Sequence, residues 1–221
     1  MPVKLSPQSL QELCERLSLP LHPAQAEKLA LYLELLLKWN SKINLTASHD
    51  WREVTRDLVA DSFHLAGFIA ALPLPKNTNE SPRTWDLGAG GGLPGIPLRI
   101  LWQAGTCHLI ELREKRALFL QTALALLKLP ATFARRGDAA AFMQTEAAAG
   151  KPADLILSRA FMPWQELLAY VQPYLAPRGI LLLMLRGDSF CEAVPGWELV
   201  GQCSYPSPAG PRQFVALSVE V

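Results

Sequence analysis

From Thr84 onward, strand-length apolar runs alternate with apolar runs at helical spacing. A glycine-rich turn follows the first of these strands, and the second strand ends in an acid. Together these features predict an α/β fold of Rossmann-like type, a seven-stranded, mostly parallel sheet with helices on both faces. Helical repeats ahead of the first strand add an N-terminal helical extension. The chain has 221 residues, half of them hydrophobic, enough to fill one sizeable core. The expected organisation is a helical extension over residues 1–72, a linker over 73–83 and one compact α/β unit over 84–221. The linker is read from its Pro, Asn and Ser content between Leu72 and Arg83.

Composition excludes several classes. The net charge is +1, so no global basic field recruits a polyanion and any basic surface must be local. Cys14, Cys107, Cys191 and Cys203 lack metal or redox spacing and read as reduced thiols of a cytoplasmic protein, with no metal site. The start of the chain lacks the apolar core of a signal peptide. The longest apolar run, Leu29 to Leu37, is short and carries Glu34, so no membrane span is expected.

Ser6 and Pro7 read as a cap and a first helical residue, with Leu10, Leu13 and Leu17 following at helical spacing. Pro23 opens a second helix through Leu29, Leu33, Leu36 and Leu37 to Trp39. Asp50 and Glu53 read as a capping-box pair opening a third helix that reaches about Ile69. These leucines read as core packing. Between the second and third helices, Trp39 to Thr46 is polar and amide-rich. Lys38, Lys42, His49, Arg52 and Arg56 flank it, against Asp50 and Glu53 as the nearby acids. Two readings stand: its Asn and Thr side chains cap the neighbouring helices, or the segment is an edge that contacts a polyanion backbone.

The first strand, Thr84 to Leu87, leads into Gly88-Ala89-Gly90-Gly91-Gly92-Leu93-Pro94-Gly95. A dinucleotide fingerprint is not met, because the position that needs its third glycine is Leu93. The pattern is D-x-G-x-G-x-G on Asp86, Gly88, Gly90 and Gly92, and no P-loop occurs anywhere. A carboxylate at Asp86 favours a ligand that carries an ammonium, which points to S-adenosylmethionine. The alternative is a tight turn with no ligand. A helix to about Gln103 and a strand Cys107 to Glu111 follow. Glu111 stands where a ribose diol is gripped, although it could also pair with Arg113 or Lys115.

A helix from Arg113 to Lys128 and a strand Ala131 to Arg135 come next. Asp138 either accepts from an adenine amine, with backbone groups of Ala139 and Ala140 beside it, or caps a helix. A fourth strand, Asp154 to Leu157, ends in Ser158-Arg159-Ala160-Phe161. A helix Pro163 to Leu175, a turn Pro177-Arg178-Gly179 and a strand Ile180 to Leu185 follow. Trp197 to Tyr205 and Arg212 to Val221 close the sheet as an antiparallel pair.

The residues after the fourth strand usually face the methyl acceptor in such a sheet. Neither the Asn-Pro-Pro-Tyr type of an exocyclic amine acceptor nor the Cys nucleophile of a pyrimidine C5 acceptor is present there. Arg159 offers a fixed cation and Phe161 an aromatic face, unless Phe161 is core filler. That pair suits an acceptor with a free lone pair, such as guanine N7, which needs no general base. Rate would then come from in-line positioning supported by electrostatics.

Five motifs carry a family resemblance. They are Trp39-Asn40-x-x-Ile43-Asn44-Leu45-Thr46, Asp61-Ser62, the run Asp86 to Pro97, Lys115-Arg116-x-x-Phe119-Leu120 and Ser158-Arg159-Ala160-Phe161. In this order the chain resembles the ribosomal RNA small subunit methyltransferase G family, also called glucose-inhibited division protein B, over roughly residues 30 to 187. The resemblance implies a class I S-adenosylmethionine-dependent methyltransferase of the bacterial cytoplasm. It implies methylation of N7 of the guanine at position 527 of 16S rRNA, free or in a small-subunit particle, by a monomer. A small-molecule or other-RNA methyltransferase with the same cofactor site is the alternative. The family's cofactor contacts fall on Gly88, Leu93, Ala139, Ala140 and Arg159, and the RNA contacts expected are Lys38, Lys42, Asn44 and Arg186. The chain departs from the family pattern at Asp57-Leu58 (usually a basic-His pair), Glu111 (usually Asp), Ala140 (often an acid) and Arg186 (usually Lys).

Overall fold

Seven strands, β1 (Arg83–Leu87), β2 (Thr106–Glu111), β3 (Thr132–Arg136), β4 (Ala153–Ser158), β5 (Leu175–Arg186), β6 (Trp197–Tyr205) and β7 (Arg212–Val219), form one sheet in the computed structural model. The structure describes residues 5–74, 81–187, 190, 193–208 and 210–220. Residues 1–4 at the start of the chain, 75–80 of the expected linker, Cys191 and Val221 lie outside the described residues. Strand order is β3-β2-β1-β4-β5-β7-β6. The first five strands are parallel, and β7 runs antiparallel to both β5 and β6. Central strands covered on both faces read as unbroken apolar runs, and all six residues of β4 are buried.

One face carries α1 (Pro7–Arg16), α2 (Pro23–Ile43), α3 (Trp51–Val54), α4 (Ala60–Ala71), α5 (Gly95–Leu101) and α6 (Glu114–Leu127). The other face carries α7 (Ala139–Ala148) and α8 (Trp164–Val171). The N-terminal helices share a core with the sheet: Leu10, Leu29, Leu33 and Leu36 pack in one cluster with Ile96, Leu109, Phe119 and Leu120. Each fully buried leucine in that cluster contributes about 2 kcal/mol.

Four local readings change. The second helix continues past Trp39 to Ile43, because Asn40 and Ile43 extend the inward stripe of Leu36, and Asn44 ends it at φ +49. Trp39 to Ile43 is therefore helix and not part of a connecting segment. At the third helix Asp50 caps the Arg52 N–H at 2.7 Å, but Glu53 accepts from the Ser48 hydroxyl at 2.6 Å and completes no capping box. Ser6 occupies the N-cap of α1 without a side-chain capping bond. Pro177-Arg178-Gly179 lies inside β5 as an irregularity and not before it. The register jumps there from Ala153 opposite Leu175 to Leu155 opposite Ile180.

The strand order reverses between β1 and β4, which opens a crevice at their carboxyl ends. Leu87 pairs with Ser158, so Gly88 and Arg159 leave the sheet side by side.

Candidate active site

The glycine turn is shaped by what it cannot accommodate. Gly88 has φ +69, and a Cβ there would meet Cδ2 of Phe161 at 2.8 Å. The ring of Phe161 therefore lies directly on the turn, 6.0 Å from the ring of Tyr170. Gly92 is closely packed: a Cβ there would meet Ile96 at 2.6 Å and Leu120 at 3.1 Å. Side chains from outside hold the turn in place. The Tyr32 hydroxyl donates to the Gly91 carbonyl at 2.6 Å, and the Ser62 hydroxyl donates to the Pro94 carbonyl at 3.2 Å. The Gly90 N–H donates to Oε2 of Glu111 at 2.9 Å.

Asn40 builds a second wall. Its Oδ1 accepts from the N–H groups of Leu45 and Thr46 at 2.6 and 2.8 Å, and its Nδ2 donates to the Ser48 carbonyl at 3.0 Å. A buried amide with three backbone partners pins residues 44–48 against the glycine turn. These partners all lie in the loop between α2 and α3, so Asn40 braces the loop and its side chain caps neither neighbouring helix. The resulting cavity, about 380 Å³, is lined by Leu45, Thr46, Gly88, Leu93, Arg159 and Arg186 among others.

Asp86 lies beneath the turn. It is 2% exposed, and the absence of a Cβ at Gly95 leaves room for its Oδ2. That oxygen has no hydrogen-bond partner among the described residues. Burial pushes the carboxyl up to about 7, against the opposing pull of the Gly95 N–H and of Arg159. Glu111 is buried and accepts from the N–H groups of Gly90 and Arg113. Its partner is the backbone of Arg113, not the side chain. Asp138 is the N-cap of α7 and accepts from the Ala141 N–H at 3.0 Å, so its capping reading is observed.

Arg159 turns back from β4 toward α4. Its Nη2 lies 3.1 Å from Oδ2 of Asp61, and the two side chains are 17% and 3% exposed. Oδ1 of Asp61 accepts from the Tyr205 hydroxyl at 2.8 Å. Burial lowers the Arg159 pKa, while Asp61 supports the charge.

The family model for rRNA small subunit methyltransferase G matches residues 25–194. The chain belongs to this family. A ribosomal RNA small subunit methyltransferase G from Nitratidesulfovibrio vulgaris is 43% identical over 215 residues, covering 97% of this chain and 95% of the relative. One from Lawsonia intracellularis is 41% identical over 210 residues, covering 94% and 93%. The structure of an O-methyltransferase from Bacillus cereus in complex with SAH superposes with a TM-score of 0.64 at 15% identity, over 96% of this chain and 97% of that one. At that identity the likeness speaks for the fold, the Rossmann-like α/β fold of class I methyltransferases.

Within this family member, the crevice gathers Gly88, Gly90, Leu93, Arg159 and Arg186 around one cavity. Asp86 and Gly92 lie behind it. Asp138, Ala139 and Ala140 start α7 on the far face of the sheet. Lys38 and Lys42 are exposed along α2 and line a different groove, with His49, Trp51 and Arg52. Asn44 is exposed at the end of α2, next to Leu45 of the cavity wall, and its carbonyl accepts from Arg116 at 3.4 Å. The sequence reading passed over Tyr32 and Tyr205, and it held Asn40 and Asp61 only as members of motifs, with no partner named for either. The pair Asp61-Ser62 had a signal, a polar doublet inside an apolar helix, but Tyr205 had none.

Proposed function

We propose that this chain transfers the methyl group of S-adenosylmethionine to N7 of a guanine in small-subunit rRNA, the guanine at position 527 of 16S rRNA. One observation carries the reading: the glycine turn and the half-paired cation of Arg159 flank the same crevice at the switch point of the sheet. S-adenosylmethionine is the methyl donor in this reading and supplies an electrophilic carbon beside a sulfonium charge. Two features of the chain fit it. A buried carboxylate oxygen of Asp86 lacks a hydrogen-bond partner among the described residues, and Gly88 keeps the turn free of a Cβ.

The roles follow from chemistry. Asp86 attracts the ammonium end of the cofactor through its charge. The backbone of Gly88, Gly90 and Leu93 bounds the methionine portion. Glu111 keeps lone pairs for a ribose diol after its two backbone bonds. Asp138, Ala139 and Ala140 offer one carboxylate oxygen and backbone groups to the adenine edge, with no side-chain acid at Ala140. Arg159 presents planar donors to an anionic oxygen, and Phe161 walls the crevice over Gly88.

Carboxylates at the rim are engaged elsewhere: Glu53 accepts from Ser48, and Asp57 pairs with Arg56 at 2.8 Å. N7 carries no proton to remove, so the acceptor needs positioning and not a base. Lys38, Lys42, Asn44 and Arg186 are the RNA contacts, acting on phosphates and sugars. The enzyme works as a cytoplasmic monomer on rRNA or a small-subunit particle. Among the described residues no helix is long and apolar enough to cross a membrane.

The test is transfer from labelled S-adenosylmethionine to 16S rRNA and to small subunits lacking the modification, with the labelled base mapped. Label on N7 of the single guanine is expected. Tight cofactor binding with no transfer to either substrate would move the acceptor to another RNA or to a small molecule.

A further inference from the structure

Arg159 is held by side chains that the resemblance leaves without a role. Asp61, near the start of α4, is 2% exposed and has both oxygens engaged, one by Arg159 and one by Tyr205. The next residue, Ser62, bonds the end of the glycine turn through the Pro94 carbonyl. Tyr205 is the last residue of β6 and is itself fixed, stacked on His64 at 4.2 Å and packed on Phe214 at 5.0 Å between ring centroids. The antiparallel ladders place Tyr205 opposite Arg212, and Arg212 opposite Arg186.

Arg186 and Arg212 thus lie within electrostatic reach of Arg159, which alone of the three pairs with Asp61 among the described residues. Arg186 and Arg212 weigh against the charge of Arg159, after the larger cost of burial, and Asp61 offsets them. An arginine is a long side chain with five donors, and its direction is set only where a rigid acceptor fixes it. Asp61 is such an acceptor, because it is buried on α4 and its other oxygen is held by Tyr205, which is packed at the end of β6.

We propose that Asp61 is the positioning residue for Arg159 and that Tyr205 orients Asp61, so that the closing β6–β7 pair sets how Arg159 enters the crevice. The inference rests on the reading of Arg159 as part of the cofactor and acceptor site. It differs from a merely structural ion pair in acting through Arg159 alone.

The experiment measures SAH binding by calorimetry and single-turnover methyl transfer for Asp61→Asn and Tyr205→Phe, each in the wild-type and the Arg159→Ala background. In the wild-type background Asp61→Asn should weaken binding or transfer by about ten-fold or more, and Tyr205→Phe by about three-fold or more. In the Arg159→Ala background neither should add a further loss, since positioning a missing group has no effect. If Asp61→Asn fails to fold, Tyr205→Phe carries the test by itself, because it removes one hydroxyl and keeps the ring packing. Equal losses in both backgrounds, or a lowered melting point with wild-type binding and transfer, would overturn the proposal. Wild-type behaviour of Arg159→Ala itself would overturn the underlying reading of Arg159, a result distinct from failure of the Asp61 arm.

Discussion

Arg99 and Arg159 are both largely buried arginines, yet they stand at opposite ends of the sheet and have different partners. Arg99 is 0% exposed beside the amino ends of β2 and β3. Its guanidinium donates to the carbonyls of Trp102, Gln103, Ala104, Gly105 and Pro130 and to the Thr132 hydroxyl. Every donor has an acceptor, so the group closes two loops and has nothing left for a ligand. Arg159 has a carboxylate on one side and a cavity on the other. Burial lowers the pKa of both. Depth of burial therefore does not separate the two cations; the count of satisfied donors does.

The sharpest way to break this contrast is to delete each arginine. Arg99→Ala removes the guanidinium from the carbonyls of Trp102, Gln103, Ala104 and Gly105, while Pro130 and Thr132 keep their mutual bond, and should cost about 4 kcal/mol or more, read by urea unfolding. Arg159→Ala should keep the fold and lower methyl transfer by about a hundred-fold in single-turnover assays. If the two variants lose stability and activity in the same proportion, the distinction between the two ends is wrong. Gly88→Arg places a side chain where the Phe161 ring lies and should weaken SAH binding by roughly a hundred-fold, read by calorimetry. Binding equal to wild type would mean that this turn is not the cofactor site.

The two ends should also differ in pH response. The Asp86 carboxyl is raised from 3.8 to about 7 in the folded chain. A raised acid holds its proton longer in the folded state, so its contribution to stability is complete below about pH 4 and is lost as pH rises through 7. A cationic ligand favours the ionised form, so SAH affinity should rise by about ten-fold in total between pH 6 and 8, most of it below pH 7. Asp86→Asn should flatten both trends, and an unchanged slope would remove Asp86 from cofactor binding. The smallest effect is expected at Lys42→Ala. It should leave SAH binding alone and lower the salt slope of rRNA binding by about 0.7 to 0.9. No change in that slope would take Lys42 out of the RNA interface.

Much of the fold was legible because its signals are local. Alternating periods placed the strands, and the site's acids stood at strand ends. The glycine turn was readable because only glycine suits the φ of Gly88 and the close approach of Phe161. Arg99 was not legible, since its partners are mostly backbone carbonyls, which every residue carries. Asn40 was misread as part of a connecting segment, because a buried amide at a helix end looks in sequence like a polar loop residue. That Gly92 lies against Ile96 and Leu120 while Gly88 lies against Phe161 depends on which elements pack on the turn.

By itself the sequence determined the order of strands and helices, the glycine turn and the family, because each rests on local backbone preference or on a motif read in order. The tertiary structure alone decided that Asp61 and Tyr205, 144 residues apart, close on Arg159. That choice depends on β7 lying beside β5 and on α4 docking over both. Whether a buried charge is satisfied is a property of the neighbours that packing brings to it, and no spacing along the chain records them.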